Sequence, residues 1–270
     1  VLVLYTQVGF ILPLTCRLKD KWVFLLACVL LIQPLPLYYV IRACLDPSFI
    51  TPAIPTRSFW DATFAVQSHG SFLETVRVNL WEGQIASLAW AWDHGRVFQT
   101  AALFLLGMLI GRRGLFQKEN LKVWNKILAG ALIAFFPLYG LGNMLPAFIV
   151  NKSILTPLSL IITSLSNFSF MLVLVSGVIF AFYNTNMHYL LMKITPYGKM
   201  SLTNYITQSI VGSMLYYNWG FALHNQCGIT VSCLAGIAFF ILQFTFCRWW
   251  MSHHSHGPME YIWKRATWLK

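Results

Sequence analysis

The stretch MSLTNYITQSIVGSMLYYNWGFALHNQCGITVSCLAGIAFFILQFTFC, residues 200–247, decides the class of fold because it contains no Asp, Glu, Lys or Arg. A membrane-spanning helix needs about 20 mostly apolar residues. The stretch therefore predicts two spans, helix F at 200–223 and helix G at 229–247, joined by the turn HNQCG. The apolar stretches show no strand-like alternation, so α-helices are predicted.

The composition of the whole chain agrees with a membrane environment. The chain has 270 residues, of which 57% are hydrophobic and 10% charged, and its mean hydropathy is +0.63. Soluble domains average about 25% charged residues. This composition excludes an ordinary cytosolic enzyme, a disordered chain and a disulfide-rich secreted module. The net charge of +11 would indicate nucleic acid in a soluble protein, but here it predicts membrane orientation and no nucleic-acid partner.

Five further apolar stretches complete the predicted fold, an all-α polytopic transmembrane bundle of about seven helices. We expect one integral-membrane domain over residues 1–270. Because Val1 is not Met and opens inside an apolar run, we also expect an N-terminally truncated chain. Pro34 and Pro36 should kink or break helix B. The further predicted spans are helix A at 1–14, helix B at 22–41, helix C at 97–110, helix D from 123 past 139, and helix E within 154–182.

Two segments are predicted to lie outside the spans. Residues 43–95 begin as a proline-rich loop and continue as an amphipathic segment with Trp81, Ile85, Leu88 and Trp92 at three- and four-residue steps. This segment is either a packing element or a substrate lid. The tail from residue 257 predicts an amphipathic helix that begins with Pro258 in its first turn.

Charge is distributed unevenly between alternate connections. The connections A–B, C–D and E–F and the tail together carry fourteen basic and three acidic residues, whereas the other side carries five of each. Cytoplasmic connections are enriched in Lys and Arg. The alternation supports seven spans, a cytoplasmic C-terminus and an extracytoplasmic segment 43–95.

Helix F carries a polar stripe. Ser201, Asn204, Gln208 and Gly212 recur at steps of three and four, so they share one helix face. Polar side chains facing lipid are costly, and this face should point into the bundle. The stripe is a candidate substrate-binding site; the alternative is that its amides join helices by hydrogen bonds.

Five other polar residues are candidate site residues. Arg96 and Gln99, where the outer segment enters helix C, and Arg77, upstream in the surface segment, are candidate substrate-binding residues, although an arginine at such a boundary can also snorkel to lipid headgroups. Arg112 and Arg113 end helix C and are either orientation determinants or a site for an anionic group. Between these boundaries, Gly107 and Gly111 form a G-x-x-x-G pattern that permits close helix packing.

Histidine and cysteine give no metal signature. His69 and His94 are outer-face candidates for a general base, each without a partner fixed by the sequence. His253, His254 and His256 are interpreted as a solvated tail. The six cysteines have no C-x-x-C spacing, and a disulfide between Cys44 and Cys227 would need suitable geometry. The sequence contains no cofactor or hydrolase motif.

Three blocks together resemble the YeiB family of bacterial inner-membrane proteins, which carry the domain of unknown function 418. They are GRVFQTAALFLLGMLIGRRGLF at 95–116, YGKMSLTNYITQS at 197–209 and GPMEYIWKRATW at 257–268. The resemblance implies that the chain is the C-terminal part of such a protein, multi-pass in the bacterial plasma membrane. The positions that match the family blocks, with roles unassigned, are Arg96, Gly107, Gly111, Arg112, Asn204, Gln208, Pro258 and Glu260.

The family is grouped distantly with transmembrane acyltransferases. That grouping implies transfer of an acyl group to an envelope molecule, with acyl-CoA as donor and the lipid bilayer as partner. Two alternatives stay open: a secondary transporter or exporter of a small or lipid-like solute, and a non-catalytic membrane scaffold. Fold-level resemblance alone does not choose among them.

Overall fold

The computed structural model describes residues 2–52 and 56–268, except for the side chains of Leu2 and Thr185. The fold is all-α, as predicted: 84% of it is helical, and the described residues contain no strand. The helices, in chain order, are α1 Leu2–Gly9, α2 Ile11–Thr15, α3 Asp20–Leu31, α4 Pro34–Leu45, α5 Thr56–His69, α6 Phe72–Leu80, α7 Glu82–Asp93, α8 Arg96–Arg112, α9 Leu121–Phe148, α10 Lys152–Tyr183, α11 Thr185–Lys199, α12 Ser201–Tyr216, α13 Ile229–His253 and α14 Pro258–Thr267.

The described helices provide fewer full-length spans than the seven predicted. Lys118–Phe148, Lys152–Tyr183 and Ile229–His253 are long and apolar enough to cross a membrane, and two bent helix pairs raise the number to five. Helix A corresponds to two short helices, α1 and α2. Helix F corresponds to α12, which has 16 residues because the chain leaves the helix at Tyr217.

Helix B is broken, as predicted from Pro34 and Pro36, but the break lies before Pro34 and not at or after the two prolines. α3 ends at Leu31, Gln33 adopts a left-handed conformation with φ of 61°, and Pro34 starts α4. Proline favours the first turn of a helix because its missing N–H has no intrahelical partner there. The two helices form a pair bent by 51°.

Residues 43–95 were predicted as a loop followed by one amphipathic segment, but most of this stretch forms three helices. Residues 53–55 of the loop lie outside the described residues, and α5, α6 and α7 follow. α7 buries the small side chains of Ala86 and Ala91, whereas Trp81 and Trp92 are exposed. α7 is also the first half of the second bent pair, at 76° to α8.

The helices divide into two compact units. Unit 1 comprises Val1–Trp60 and Gly83–Tyr183, and its main contacts join α9 to α10, α3 to α8, and α4 to α10. Its apolar core includes Val23, Ala27 and Leu105, all fully buried. These side chains pack α3 against α8.

Unit 2 comprises Asp61–Glu82 and Asn184–Lys270. Its main contacts join α11 to α13 and α12 to α14. α11 lies in what the sequence predicted as a short connection, and α14 confirms the predicted C-terminal helix. The backbone N–H of Asn218 donates to the backbone carbonyl of Gln67 at 3.0 Å, and this hydrogen bond joins the residues after α12 to α5.

Candidate functional site

A buried glutamine occupies the break between α3 and α4. The Gln33 side chain is fully buried, and its Nε2 donates to the Gly95 carbonyl and to Ser164 Oγ, both at 3.0 Å. Buried polar groups are expensive unless hydrogen-bonded. Gln33 therefore fixes the break in one bent pair against the break in the other and against α10.

Glycine is required at the second break. Gly95 has φ of 62°, a conformation that L side chains rarely adopt. A Cβ there would lie 2.5 Å from Gln33 Oε1 and 2.7 Å from Leu160 Cδ2. Gln33 Oε1 is buried, and none of the described residues donates a hydrogen bond to it. The Gln33 side chain thus packs directly on the Gly95 backbone, so the break between α3 and α4 contacts the break between α7 and α8.

A hydrogen-bonded chain runs from this buried contact to an exposed cation. Gln99 Nε2 donates to the Ser164 carbonyl at 3.3 Å, and Gln99 Oε1 accepts from Arg96 Nη1 at 3.2 Å. The Arg96 guanidinium is exposed, with its Cζ 5.9 Å from the centroid of the Trp90 ring. The structure thus brings together Arg96 and Gln99, two of the residues singled out in the sequence.

His94 lies against the same indole ring. Its imidazole stacks on Trp90 with centroids 4.7 Å apart, and its Nδ1 lies 2.9 Å from the Trp90 carbonyl. A carbonyl oxygen only accepts hydrogen bonds, so Nδ1 carries the proton, and Nε2 of the neutral ring is an acceptor. We call His94, Gly95, Arg96, Gln99, Gln33 and Ser164 the break cluster.

The polar stripe of helix F forms a separate network in unit 2. Asn204 is buried; its Nδ2 donates to the Tyr197 carbonyl at 3.0 Å, and its Oδ1 accepts from Cys247 Sγ at 3.2 Å. Gln208 Nε2 donates to Gln243 Oε1 at 2.9 Å and to the Tyr197 hydroxyl at 3.1 Å. These bonds join α12 to α11 and α13, which is the geometry of helix-joining amides.

Ser201 and the three other candidate arginines take no part in either of these networks. Ser201 is exposed at the start of α12, and Arg77 is exposed on α6 in unit 2. Asp20 in unit 1 accepts from Arg112 Nη1 at 3.3 Å and from Arg113 Nε at 3.0 Å. Both arginines thus hold the start of α3 against the end of α8.

Glu260 of α14 caps the start of α12 in unit 2. It lies in the first turn of α14, and its Oε1 accepts from the backbone N–H groups of Leu202 at 2.7 Å and Thr203 at 3.0 Å. Its Oε2 accepts from the Thr203 hydroxyl, which itself accepts from the Met259 N–H at 3.1 Å. Unpaired N–H groups at a helix start favour such a carboxylate.

No metal centre emerges among residues 2–52 and 56–268: they contain no group of three His, Cys, Asp or Glu placed to hold an ion. All six cysteines, Cys44 and Cys227 included, are free thiols. His253 Nδ1 and His254 Nδ1 lie 3.0 and 3.3 Å from the carbonyls of Trp249 and Trp250, one helical turn earlier. The two rings are exposed at the end of α13.

Sequence reasoning missed Gln33 and Ser164. One signal was available for Gln33, since it is an isolated amide immediately before a proline in a charge-free run. Ser164 is one of several serines on α10, and four of them, Ser164, Ser166, Ser169 and Ser176, are buried. Their spacing alone does not distinguish the serine that meets Gln33.

Apolar helices of spanning length, broken helices joined by buried amides, and a basic tail helix define an α-helical integral membrane protein. The chain belongs to the DUF418 family, described as "Protein of unknown function (DUF418)", whose profile matches residues 110–270. The match contains the second and third sequence blocks completely and begins within the first. The chain is therefore of the uncharacterised YeiB type.

The curated relatives are uncharacterised and are matched over short stretches. YxaH of Bacillus subtilis is 30% identical over 95 residues, 35% of this chain and 24% of that protein. An uncharacterised 39.9 kDa protein from Bacillus acidopullulyticus is 32% identical over 78 residues, 29% of this chain and 22% of that protein. YeiB of Escherichia coli is 29% identical over 83 residues, 29% of this chain and 20% of that protein. The matches thus span a quarter or less of each relative, and no solved structure matches.

Proposed function

We propose that this protein draws a thioester donor of the acyl-CoA class through the helix bundle from the cytoplasmic face and transfers its acyl group to a hydroxyl group of an envelope molecule at the break cluster. The observation that supports this proposal is the hydrogen bond of His94, whose Nδ1 lies 2.9 Å from the Trp90 carbonyl oxygen. The exposed imidazole therefore presents Nε2 as a proton acceptor. A general base of this kind accelerates proton transfer by about 10²–10⁴-fold.

In the proposed reaction, His94 Nε2 takes the proton from the acceptor hydroxyl as its oxygen forms a bond to the acyl carbonyl carbon. The carbon–sulfur bond of the thioester then breaks. The thiolate leaves and takes the proton from the imidazolium, so the products are an ester and a free thiol. The Trp90 ring, stacked at 4.7 Å, fixes the plane of the imidazole throughout.

Arg96 supplies the positive charge of the proposed site. Its guanidinium lies against the same Trp90 ring and is oriented by Gln99 Oε1 at 3.2 Å. Negative charge develops on the acyl oxygen during attack, and a preorganised donor stabilises it. Gln99 is in turn held by the Ser164 carbonyl, so the fixed helix breaks act as the support for Arg96.

The test is release of free thiol from acyl-CoA by the purified protein in detergent, with extracted envelope lipids and glycans as acceptors. We expect His94→Gln to reduce the rate at least about 100-fold, because glutamine keeps the polarity but does not exchange a proton. His69→Gln is the matched control, since His69 is also exposed at a helix end. Wild-type protein that releases no thiol, or a fully active His94→Gln variant, would contradict the proposal.

One observation favours a second function, secondary transport of a small or lipid-like solute. Broken helices that meet inside a bundle form the substrate sites of many transporters, and here the two breaks meet at Gln33 and Gly95. Proteoliposomes that accumulate a candidate solute, with uptake lost in Gln33→Leu and retained in His94→Gln, would favour transport over acyl transfer.

A further inference from the structure

An apolar groove of about 420 Å³ follows the second half of α10 in unit 1. Its wall includes Leu174, Val178, Phe182 and Tyr183 of α10, and Phe116 lines it near Tyr183, at the end of that helix. Leu174 and Val178 expose 54% and 59% of their surface. From Leu174 to Tyr183 the helix rises roughly 14 Å. That length is close to the thickness of one leaflet, about half of a 30 Å hydrocarbon core.

The loop at the end of the groove is held in a defined conformation. Tyr183 Oη donates to the Phe116 carbonyl at 2.5 Å, and Trp124 Nε1 donates to the Leu115 carbonyl at 2.7 Å. Gly114 turns the chain with φ of 57°. Tyr is enriched where a membrane meets water. The Tyr183 hydroxyl therefore marks this end of the groove as its headgroup end, whereas Trp124 is fully buried and only holds the loop.

The same end of unit 1 is strongly basic. The contacts of Asp20 with Arg112 and of Tyr183 with Phe116 bring residues 17–21 and 112–126 to one end of the helices. These two segments contain eight basic residues and two acidic ones. Asp20 partners Arg112 and Arg113, whereas Lys118, Lys122 and Lys126 are exposed close in sequence to Phe116.

From this juxtaposition we infer that unit 1 binds one anionic phospholipid, with an acyl chain in the α10 groove and its phosphate at Lys118 and Lys122. The groove wall is almost entirely apolar, which suits a hydrocarbon chain and excludes a soluble anion as its occupant. Exposed lysines near a membrane surface select negatively charged headgroups. The site is independent of the break cluster and of the proposed acyl transfer.

Native mass spectrometry of the detergent-purified protein tests this inference. Phosphatidylglycerol and phosphatidylcholine with identical chains are titrated separately. Each lysine should contribute about 5-fold to the preference for the anionic lipid. We expect wild-type protein to prefer phosphatidylglycerol at least about 10-fold, and the double variant Lys118→Gln, Lys122→Gln to bind both lipids within about 2-fold of each other. Val178→Trp, which fills the groove, should weaken both lipids.

Matched controls separate a built site from general surface charge. Lys193→Gln with Lys199→Gln removes the same charge from α11 in unit 2, and Val231→Trp adds the same bulk to an exposed position of α13. Both controls should leave the preference unchanged. Equal binding of the two lipids by wild-type protein, an equal loss in the control variants, or no effect of Val178→Trp would overturn the inference. Circular dichroism of each variant verifies that its helices are intact.

Discussion

At the scale of single residues, Gly95 is the position that the break cluster tolerates least. Gly95→Ala places a Cβ 2.5 Å from Gln33 Oε1 and forces alanine to adopt φ of 62°. A non-glycine residue in such a conformation costs about 1–3 kcal/mol. We expect a lower thermal unfolding midpoint in detergent and loss of the activity of the site.

Gly107→Ala is the control for that substitution. Gly107 lies in α8, the helix that Gly95 precedes, and a Cβ added there meets no atom of the described residues within 4 Å. Alanine should therefore stabilise the helix slightly, by up to about 1 kcal/mol. The same is expected at Gly111, so within unit 1 the G-x-x-x-G pattern is not a close helix contact. Equal midpoints for Gly95→Ala and Gly107→Ala would refute the argument.

The sequence identified part of the break cluster and not the rest, for a physical reason. Arg96, Gln99 and His94 are recognisable because they are polar residues at the boundary of an apolar helix. Gln33 contacts Gly95 across 62 positions and Ser164 across 131. Helical periodicity specifies which face a residue shares with its near neighbours. It does not specify which distant helix packs on that face.

At the scale of elements, docking of α14 on α12 depends on the Glu260 carboxylate. Glu260→Gln removes the charge and leaves one carbonyl to accept from the Leu202 and Thr203 N–H groups. Hydrogen bonds to a charged group contribute about 1.5–3 kcal/mol, and we expect a loss of roughly 1–2 kcal/mol at this half-buried position. Hydrogen exchange of the α14 amides should accelerate about 5- to 30-fold.

The docking should also weaken at low pH. Burial alone would raise the pKa of Glu260, but hydrogen bonds from Thr203 and from the start of α12 hold the pKa below its ordinary value of 4.5. Because the docked pKa is the lower one, the stabilisation is complete above 4.5 and is lost as the pH falls through the docked value. Glu119→Gln is the control, because it removes a carboxylate from another part of the chain. An α14 amide exchange rate that changes neither in Glu260→Gln nor on acidification would contradict this role.

Some elements follow from the sequence directly and others do not. α9, α10 and α13 are long apolar runs, and their positions were predicted closely. α11 was missed because its polar residues and Pro196 resemble a connection. α5 to α7 were predicted as one amphipathic stretch, but Gly70 and Ser71 interrupt it. Ser71 forms a capping box with Glu74, a local signal that identifies the start of α6.

At the scale of the whole molecule, charge asymmetry predicts which end of unit 1 faces the cytoplasm. Residues 17–21 and 112–126 meet at the basic end, whereas the Thr51 hydroxyl donates to the Ser153 carbonyl at 3.1 Å where α10 begins. Thr51 and Ser153 therefore mark the opposite end of the same helices. Lys and Arg are retained on the cytoplasmic side of bacterial membrane proteins.

Cysteine labelling in intact cells tests this orientation. In a background with all six native cysteines replaced by serine or alanine, Ser153→Cys should react with a membrane-impermeant maleimide, and Glu119→Cys should react only after permeabilisation. Lys118 and Lys122 beside Glu119 would then face the anionic cytoplasmic leaflet, which their proposed lipid site requires. The opposite labelling pattern would invert the protein in the membrane and contradict both the predicted orientation and the placement of Lys118 and Lys122 at the cytoplasmic leaflet.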